Sequence, residues 1–82
     1  MKRKSQKTLA LIFARPVPGS IKWREIEALL IDLGAKVSER EGSRIGVVVF
    51  GEVRVFHRLH PSPDTDKGAV ESVRRWLTEN GV

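Results

Sequence analysis

The sequence predicts an α+β protein with two layers, in which helices pack on one face of a three-stranded antiparallel sheet. Three observations predict this fold. Apolar residues recur with helical spacing near both ends of the chain, they alternate with strand spacing in the middle, and short segments with Gly separate the runs. The predicted order is (α)αβββα, with a short extra helix first. At 82 residues, the chain is expected to build one core.

The first twenty residues are predicted to lie outside the main domain, which spans residues 21–82. Met1–Lys7 carries four cationic side chains and few apolar ones, so we expect a mobile basic arm. Thr8–Ala14 has apolar residues at i, i+3 and i+4, which predicts a short helix. Two prolines in the linker Arg15–Ser20 should end that helix, because proline fixes φ and restricts the residue before it.

The second helix is predicted to begin between Ile21 and Arg24 and to end at Leu33. Its apolar residues form one stripe: Trp23, Ile26, Leu29, Leu30 and Leu33. Gly34 follows directly and suits the position after a helix, where a positive φ is common.

Three strands are predicted next, because the apolar period changes from helical to alternating. They are Ala35–Glu41, Arg44–Phe50 and Val53–Arg58, with a turn at Gly42-Ser43. The loop Gly51-Glu52 fits a type II′ hairpin, which places His57 opposite Gly46 and diagonal to Arg44. Both faces of the central strand are apolar, so we expect the extra N-terminal helix or a partner chain to cover the second face.

The last helix is predicted from Lys67 to Asn80, with Asp66 or Asp64 as its N-cap and Gly81 after its end. The two prolines of the preceding segment should end the sheet before this helix begins.

Composition narrows the class of function. The net charge is +5 and the pI is near 10.3, which favours a polyanionic partner, nucleic acid first. The absence of cysteine excludes disulfides, thiolate nucleophiles and zinc–thiolate sites. No segment reaches the roughly 18 apolar residues of a membrane span, so we predict no membrane contact and a cytoplasmic location.

The two histidines, His57 and His60, are the candidate catalytic residues, since imidazole is the side chain suited to proton transfer near neutral pH. Arg44 could hold a phosphate beside His57. The alternatives are a hydrogen-bonded ring at a strand end and an exposed loop histidine without a role. Together with Asp64 and Asp66 the histidines match no standard ligand spacing, so no metal and no other cofactor is predicted.

Two further groups are candidates for RNA binding. Lys67-Gly68 at a helix start could seat a phosphate, or could simply be a capped turn. Arg54 and Arg58 flank Phe56, a grouping of cations and an aromatic ring that suits RNA. The alternative is a core phenylalanine with two arginines whose stems pack over it.

These features together resemble the HicA-type toxin family over roughly residues 21–82. The features are the α-β-β-β-α order, the Gly42-Ser43 turn, and His60 placed eight residues before Gly68. The resemblance implies a fold like a small double-stranded-RNA-binding domain, ribonuclease activity on messenger RNA, and neutralisation by a HicB-type antitoxin. In the family a catalytic histidine usually follows the Gly-Ser turn, and here Arg44 stands there. His60 corresponds to a second position that is commonly histidine.

The sequence thus favours a HicA-like toxin that acts as a metal-independent endoribonuclease. In this hypothesis His57 and His60 transfer protons while Arg44 and Lys67 stabilise the developing charge. The alternative is a non-catalytic RNA-binding or protein-interaction module on the same fold, because Arg44 replaces the usual histidine. The sequence does not decide whether the chain forms a homodimer.

Overall fold

A computed structural model describes residues 1–57 and 64–82 and confirms the α+β fold. Within those residues the elements are α1 (Arg3–Ile12), α2 (Trp23–Asp32), β1 (Lys36–Glu39), β2 (Arg44–Val49), β3 (Glu52–His57) and α3 (Lys67–Glu79). The strands form an antiparallel sheet in the order β1-β2-β3, with β2 in the centre. The core lies between one face of this sheet and the helices.

Helices α2 and α3 supply the helical side of the core. The buried residues of α2 are Trp23, Ile26, Leu29 and Leu30, and those of α3 are Val70, Val73, Trp76 and Leu77. Gly34 has φ +99° just after α2, which confirms the predicted helix end. The carboxylate of Asp66 accepts a hydrogen bond of 3.1 Å from the amide of Gly68, so Asp66 is the N-cap.

The hairpin between β2 and β3 turns one residue earlier than predicted. Its two central residues are Phe50 and Gly51, with φ values of +58° and +73°. Type I′ turns require a positive φ at both positions, and an aromatic residue is uncommon there. The Phe50 ring packs edge-on against Trp76 at 5.6 Å, which offsets the cost of that backbone conformation.

The earlier turn changes every cross-strand partner. Arg44 pairs with His57, and Gly46 pairs with Val55, so the predicted register is wrong by two residues. A shift of two residues keeps each side chain on the same face of a strand. The predicted division of residues between the two faces therefore survives the correction.

The N-terminal segment differs from the prediction. Helix α1 begins at Arg3, so the expected mobile arm is wrong for residues 3–7, and it ends at Ile12 rather than Ala14. It packs against α2 and α3, and Ser5, Thr8 and Ile12 are buried in that contact. The prediction counted apolar residues and missed that small hydroxyl residues face the core.

Polar contacts hold α1 in place at both ends. The Ser5 hydroxyl donates to the Asp32 carboxylate in α2. The guanidinium of Arg74 in α3 donates to the carbonyl oxygens of Ile12, at 2.9 Å, and Ala14, at 3.1 Å. Ile12 is the last residue of α1, where carbonyl oxygens have no intrahelical N–H donor, and Ala14 lies just beyond the C-cap. Because α1 lies on the helices, it does not cover the second face of the sheet, contrary to one of the two expectations.

Candidate functional site

The second face of the sheet is exposed over β2 and β3; we call it the open face. It presents Arg44, Gly46 and Val48 from β2, Val53, Val55 and His57 from β3, and Lys36 and Ser38 from β1. The three valines are partly exposed to solvent: Val48 is 41% exposed, Val53 58% and Val55 47%. Within the described part of the chain, no helix covers this apolar centre, and cationic side chains surround it.

Arg44 and His57 are direct cross-strand partners on the open face, and both are exposed. Side chains at such positions have Cβ atoms about 4.5–5.5 Å apart, so the guanidinium and the imidazole can contact the same bound group. The sequence placed the two residues diagonally. The observed pairing brings them closer than predicted.

Gly46 makes room for a second guanidinium. A Cβ atom at Gly46 would lie 2.5 Å from Nε and 2.9 Å from Nη2 of Arg40, so the Arg40 side chain lies directly against the sheet there. The amide of Arg40 also donates a hydrogen bond of 2.9 Å to the carbonyl oxygen of Arg44. A concavity beside these groups is lined by Arg40, Glu41, Arg44 and Val55.

This arrangement suits an anion. Two guanidinium groups border one concavity, and a guanidinium binds phosphate oxygens through two parallel N–H groups. His57 lies one strand away from Arg44 and offers a group that can carry a proton. Glu41 also lines the concavity and reduces its positive charge.

Arg54 does not belong to this site. It lies on the covered face, with its guanidinium carbon 5.0 Å from the centre of the Trp76 ring. It also forms ion pairs with Glu52 at 3.5 Å and Glu79 at 3.8 Å. Phe56 beside it is buried. For Arg54, the geometry matches the alternative of an arginine packed over core aromatic residues.

The remaining predicted residues fall elsewhere. Lys67 and Gly68 begin α3, and the Gly68 amide that was a candidate phosphate donor is engaged by the Asp66 cap. Arg58 and His60 lie outside the described residues. Their predicted roles stay predictions.

Sequence reasoning missed Arg40 and Lys36 as members of the open face. The signal for Lys36 was available, because it shares the strand alternation of Ser38. The signal for Arg40 was the glycine in the middle of a central strand. Such a glycine often marks a close approach by another group, and here it accommodates the Arg40 side chain.

The fold and the open face define a small α+β protein with a cationic, partly apolar sheet surface. The chain belongs to the HicA toxin family. The sequence model of that family, described as the HicA toxin of bacterial toxin-antitoxin systems, matches residues 23–81. This confirms the predicted resemblance, and it leaves α1 outside the match. The chain matches no curated protein and no solved structure. No helix within residues 1–57 and 64–82 has the length and apolar character to cross a membrane.

Proposed function

We propose that this chain is the toxin of a type II toxin–antitoxin pair and cleaves messenger RNA in the cytoplasm as an endoribonuclease. The observation that carries the proposal is the exposed cross-strand pair of Arg44 and His57 on the open face. Arg40 lies against the same surface and adds a second anion-binding group.

In this proposal, the pairing of Arg44 with His57 compensates for the absence of a histidine at position 44. The resemblance places a catalytic histidine at the position of Arg44, and the residue directly across the sheet is His57. Since paired positions project from the same face about 5 Å apart, an imidazole on β3 can reach the space that one on β2 would occupy. In this proposal the base has moved to the neighbouring strand, and Arg44 has become the phosphate-binding group.

The proposed reaction needs one base, one acid and one cation. The His57 imidazole takes the proton of a ribose 2′-hydroxyl, whose oxygen then attacks the adjacent phosphorus. The bond to the 5′-oxygen breaks, and that oxygen takes a proton, for which His60 is the proposed donor. Arg44 stabilises the added negative charge on the phosphate, and Lys67 is a further candidate for this role. The product strand ends in a 2′,3′-cyclic phosphate.

A swap of the pair tests the proposal. General acid–base catalysis contributes about 10²–10⁴-fold, so His57→Arg should lower the cleavage rate of purified protein on messenger RNA at least about 100-fold. The double variant Arg44→His with His57→Arg restores one imidazole and one guanidinium to the pair. We expect it to recover cleavage to within about tenfold of wild type. Arg75→Gln, an exposed change on α3, should have no effect.

Growth arrest on controlled expression should follow the same order. Cleavage unchanged in His57→Arg and in His60→Ala would refute the catalytic assignment. If the wild type cuts no RNA while still binding it, the non-catalytic RNA-binding alternative is supported instead.

One further observation favours a protein partner on the same face. Three exposed valines side by side are unusual for a free surface, and a rim of Lys36, Arg40 and Arg44 suits an acidic partner. We propose that a HicB-type antitoxin covers the open face and thereby blocks the Arg44–His57 pair.

Two matched substitutions to aspartate test whether the antitoxin binds the open face. Val53→Asp should weaken the complex with an antitoxin encoded beside this chain by at least about tenfold, because it places a charge in an apolar interface. Ile31→Asp is the control, since Ile31 is 52% exposed on α2. Equal binding by both variants would refute the location. Sedimentation of the chain alone shows whether a second copy occupies the face as a homodimer.

A further inference from the structure

The positive charge of this protein is concentrated in its first 24 residues. That segment contains seven Lys and Arg and no Asp or Glu, while residues 25–82 contain the other eight cations and all ten acids. The net charge of +5 therefore divides into +7 for the first segment and −2 for the rest. The net positive charge, which favours a polyanionic partner, therefore lies in the segment that is largely outside the family match.

Helix α1 displays much of this charge on its outer side. Arg3, Lys4 and Lys7 are exposed, whereas Ser5, Thr8 and Ile12 form the buried side of the helix. We call these three cations the α1 cationic surface. Among the described residues, no ion pair is seen for any of them. Lys2 differs, because it lies 3.9 Å from Asp32.

This charge is unfavourable for the helix that carries it. The first turn of α1 has no acidic residue, and its N-cap, Lys2, makes no side-chain cap hydrogen bond. Cations near a helix N-terminus oppose the helix dipole, and like charges at i and i+4, such as Arg3 and Lys7, repel. A bound anionic backbone would remove both penalties.

The cations are also not needed to dock α1. Its inner side is held by the Ser5 hydrogen bond to Asp32 and by the two hydrogen bonds from Arg74. The apolar residue Ile12 is fully buried in the core. The outer side is thus free for another role without loss of the packing.

We propose that the α1 cationic surface is an RNA-binding site, separate from the open face, which contacts the phosphate backbone without reading sequence. An anionic membrane is a poorer match, because interfacial helices insert an apolar face and that of α1 is already packed on α2 and α3. An acidic protein is also a poorer match, since the outer side offers few apolar anchors of the kind that dominate protein interfaces. A polyanion needs charge alone.

The site extends the proposed function and does not depend on it. It would hold messenger RNA on the protein whether or not the open face cuts it. The experiment therefore measures binding alone, in a His57→Ala background in which the proposed base is absent.

Fluorescence anisotropy with a labelled single-stranded RNA of about 20 nucleotides, at about 50 to 300 mM KCl, tests the site. The variant Arg3→Gln/Lys4→Gln/Lys7→Gln should weaken binding about 10–100-fold at the lower salt. Each lost contact to a single strand lowers the slope of log K against log salt by about 0.7, so the slope should fall by about 2.

The control lowers net charge by the same three units elsewhere. Arg75→Gln/Thr78→Glu/Ala28→Glu changes exposed positions of α3 and α2. It should weaken binding less than about threefold. Equal losses in both variants would attribute binding to overall charge and overturn the site, as would unchanged affinity in the α1 variant. Thermal unfolding and circular dichroism confirm that α1 stays folded.

A last arm separates the polyanions. Sedimentation with vesicles of phosphatidylserine and phosphatidylcholine should show no binding that depends on the three cations. If vesicle binding depends on them while RNA binding does not, the surface belongs to a membrane and the proposal is wrong.

Discussion

The two faces of the sheet are built from the same strands and differ in what covers them. On β2, Ile45 and Val47 point to the helices and are fully buried. Val48, the next residue along the strand, points the other way and is 41% exposed. One face is closed by helices of this chain, and the other is left for something else to contact. Strand alternation thus separates the residues that hold the fold from those available for function.

Two arginines show the same division at the level of single side chains. Arg54 on the covered face contacts Trp76 and pairs with Glu52 and Glu79. For Arg44 on the open face, no ion pair is seen within residues 1–57 and 64–82. The first arginine is paired within its own chain, whereas the second makes no such pair among the described residues.

The largest expected difference between the faces concerns the core. Trp76 is fully buried and packs against Phe56 and Phe50 at ring distances of 6.2 and 5.6 Å. Trp76→Ala should lower the free energy of unfolding by about 3–5 kcal/mol, because it leaves a large cavity. Urea denaturation measures the change. Val53→Ala on the open face is the control and should change it by less than about 0.5 kcal/mol. Similar losses in the two variants would contradict the division.

The second prediction concerns the helical side, where Arg74 of α3 donates hydrogen bonds at the C-terminal end of α1. Arg74→Ala leaves the carbonyl oxygens of Ile12 and Ala14 without these donors and should cost about 1–3 kcal/mol in urea denaturation. Amide exchange in α1 should become faster than in α3. Arg75→Ala removes an exposed arginine next in sequence and should have almost no effect. A loss confined to Arg75→Ala would show that the hydrogen bonds are not the cause.

Most of the fold could be predicted because it depends on periodicity. The second and third helices and the strands follow from apolar spacing, and the observed helix ends lie close to those predicted. Gly34 and Asp66 act as predicted because positive φ and side-chain capping are local properties.

The parts that failed depend on contacts between distant residues. The hairpin turns at Phe50 because that ring packs on Trp76, 26 residues later in the chain. Helix α1 extends to Arg3 because it packs on α2 and α3, although its first turn is intrinsically unfavourable. The site was predicted in part. Arg44 and His57 were chosen, but their direct pairing depends on the turn, and Arg40 depends on its position over Gly46.

The third prediction compares the two arginines directly. Arg54→Leu should lower the free energy of unfolding by about 0.5–1 kcal/mol, chiefly from its contact with Trp76, because its ion pairs are exposed and contribute little. Arg44→Leu should leave stability within about 0.5 kcal/mol of wild type. The affinity for RNA should show the reverse pattern. It should fall clearly in Arg44→Leu and stay unchanged in Arg54→Leu. A loss of stability in Arg44→Leu, or of RNA affinity in Arg54→Leu, would show that the faces are not separate.

The smallest expected effect is a dependence on pH that belongs to the helical side. The Ser5 hydroxyl, followed by the amide and charge of Lys2 and the N-terminal amine, holds the pKa of Asp32 below its usual value. A carboxyl whose pKa is lowered by folding stabilises the protein above its ordinary pKa, about 3.9. That contribution is lost as pH falls through the lower, folded value.

Asp32→Asn should therefore lower the thermal midpoint at pH 7, and the difference from wild type should shrink as pH falls below about 4. Ser5→Ala removes the largest cause of the shift and should reproduce part of the loss at pH 7. Its loss should fade over the same acidic range, since the hydrogen bond stabilises the charged form of Asp32. Thermal unfolding of the three proteins from pH 7 to pH 3 measures both effects. A difference that stays constant, or grows on acidification, would show that the contact between α1 and α2 depends on packing and not on the charge of Asp32.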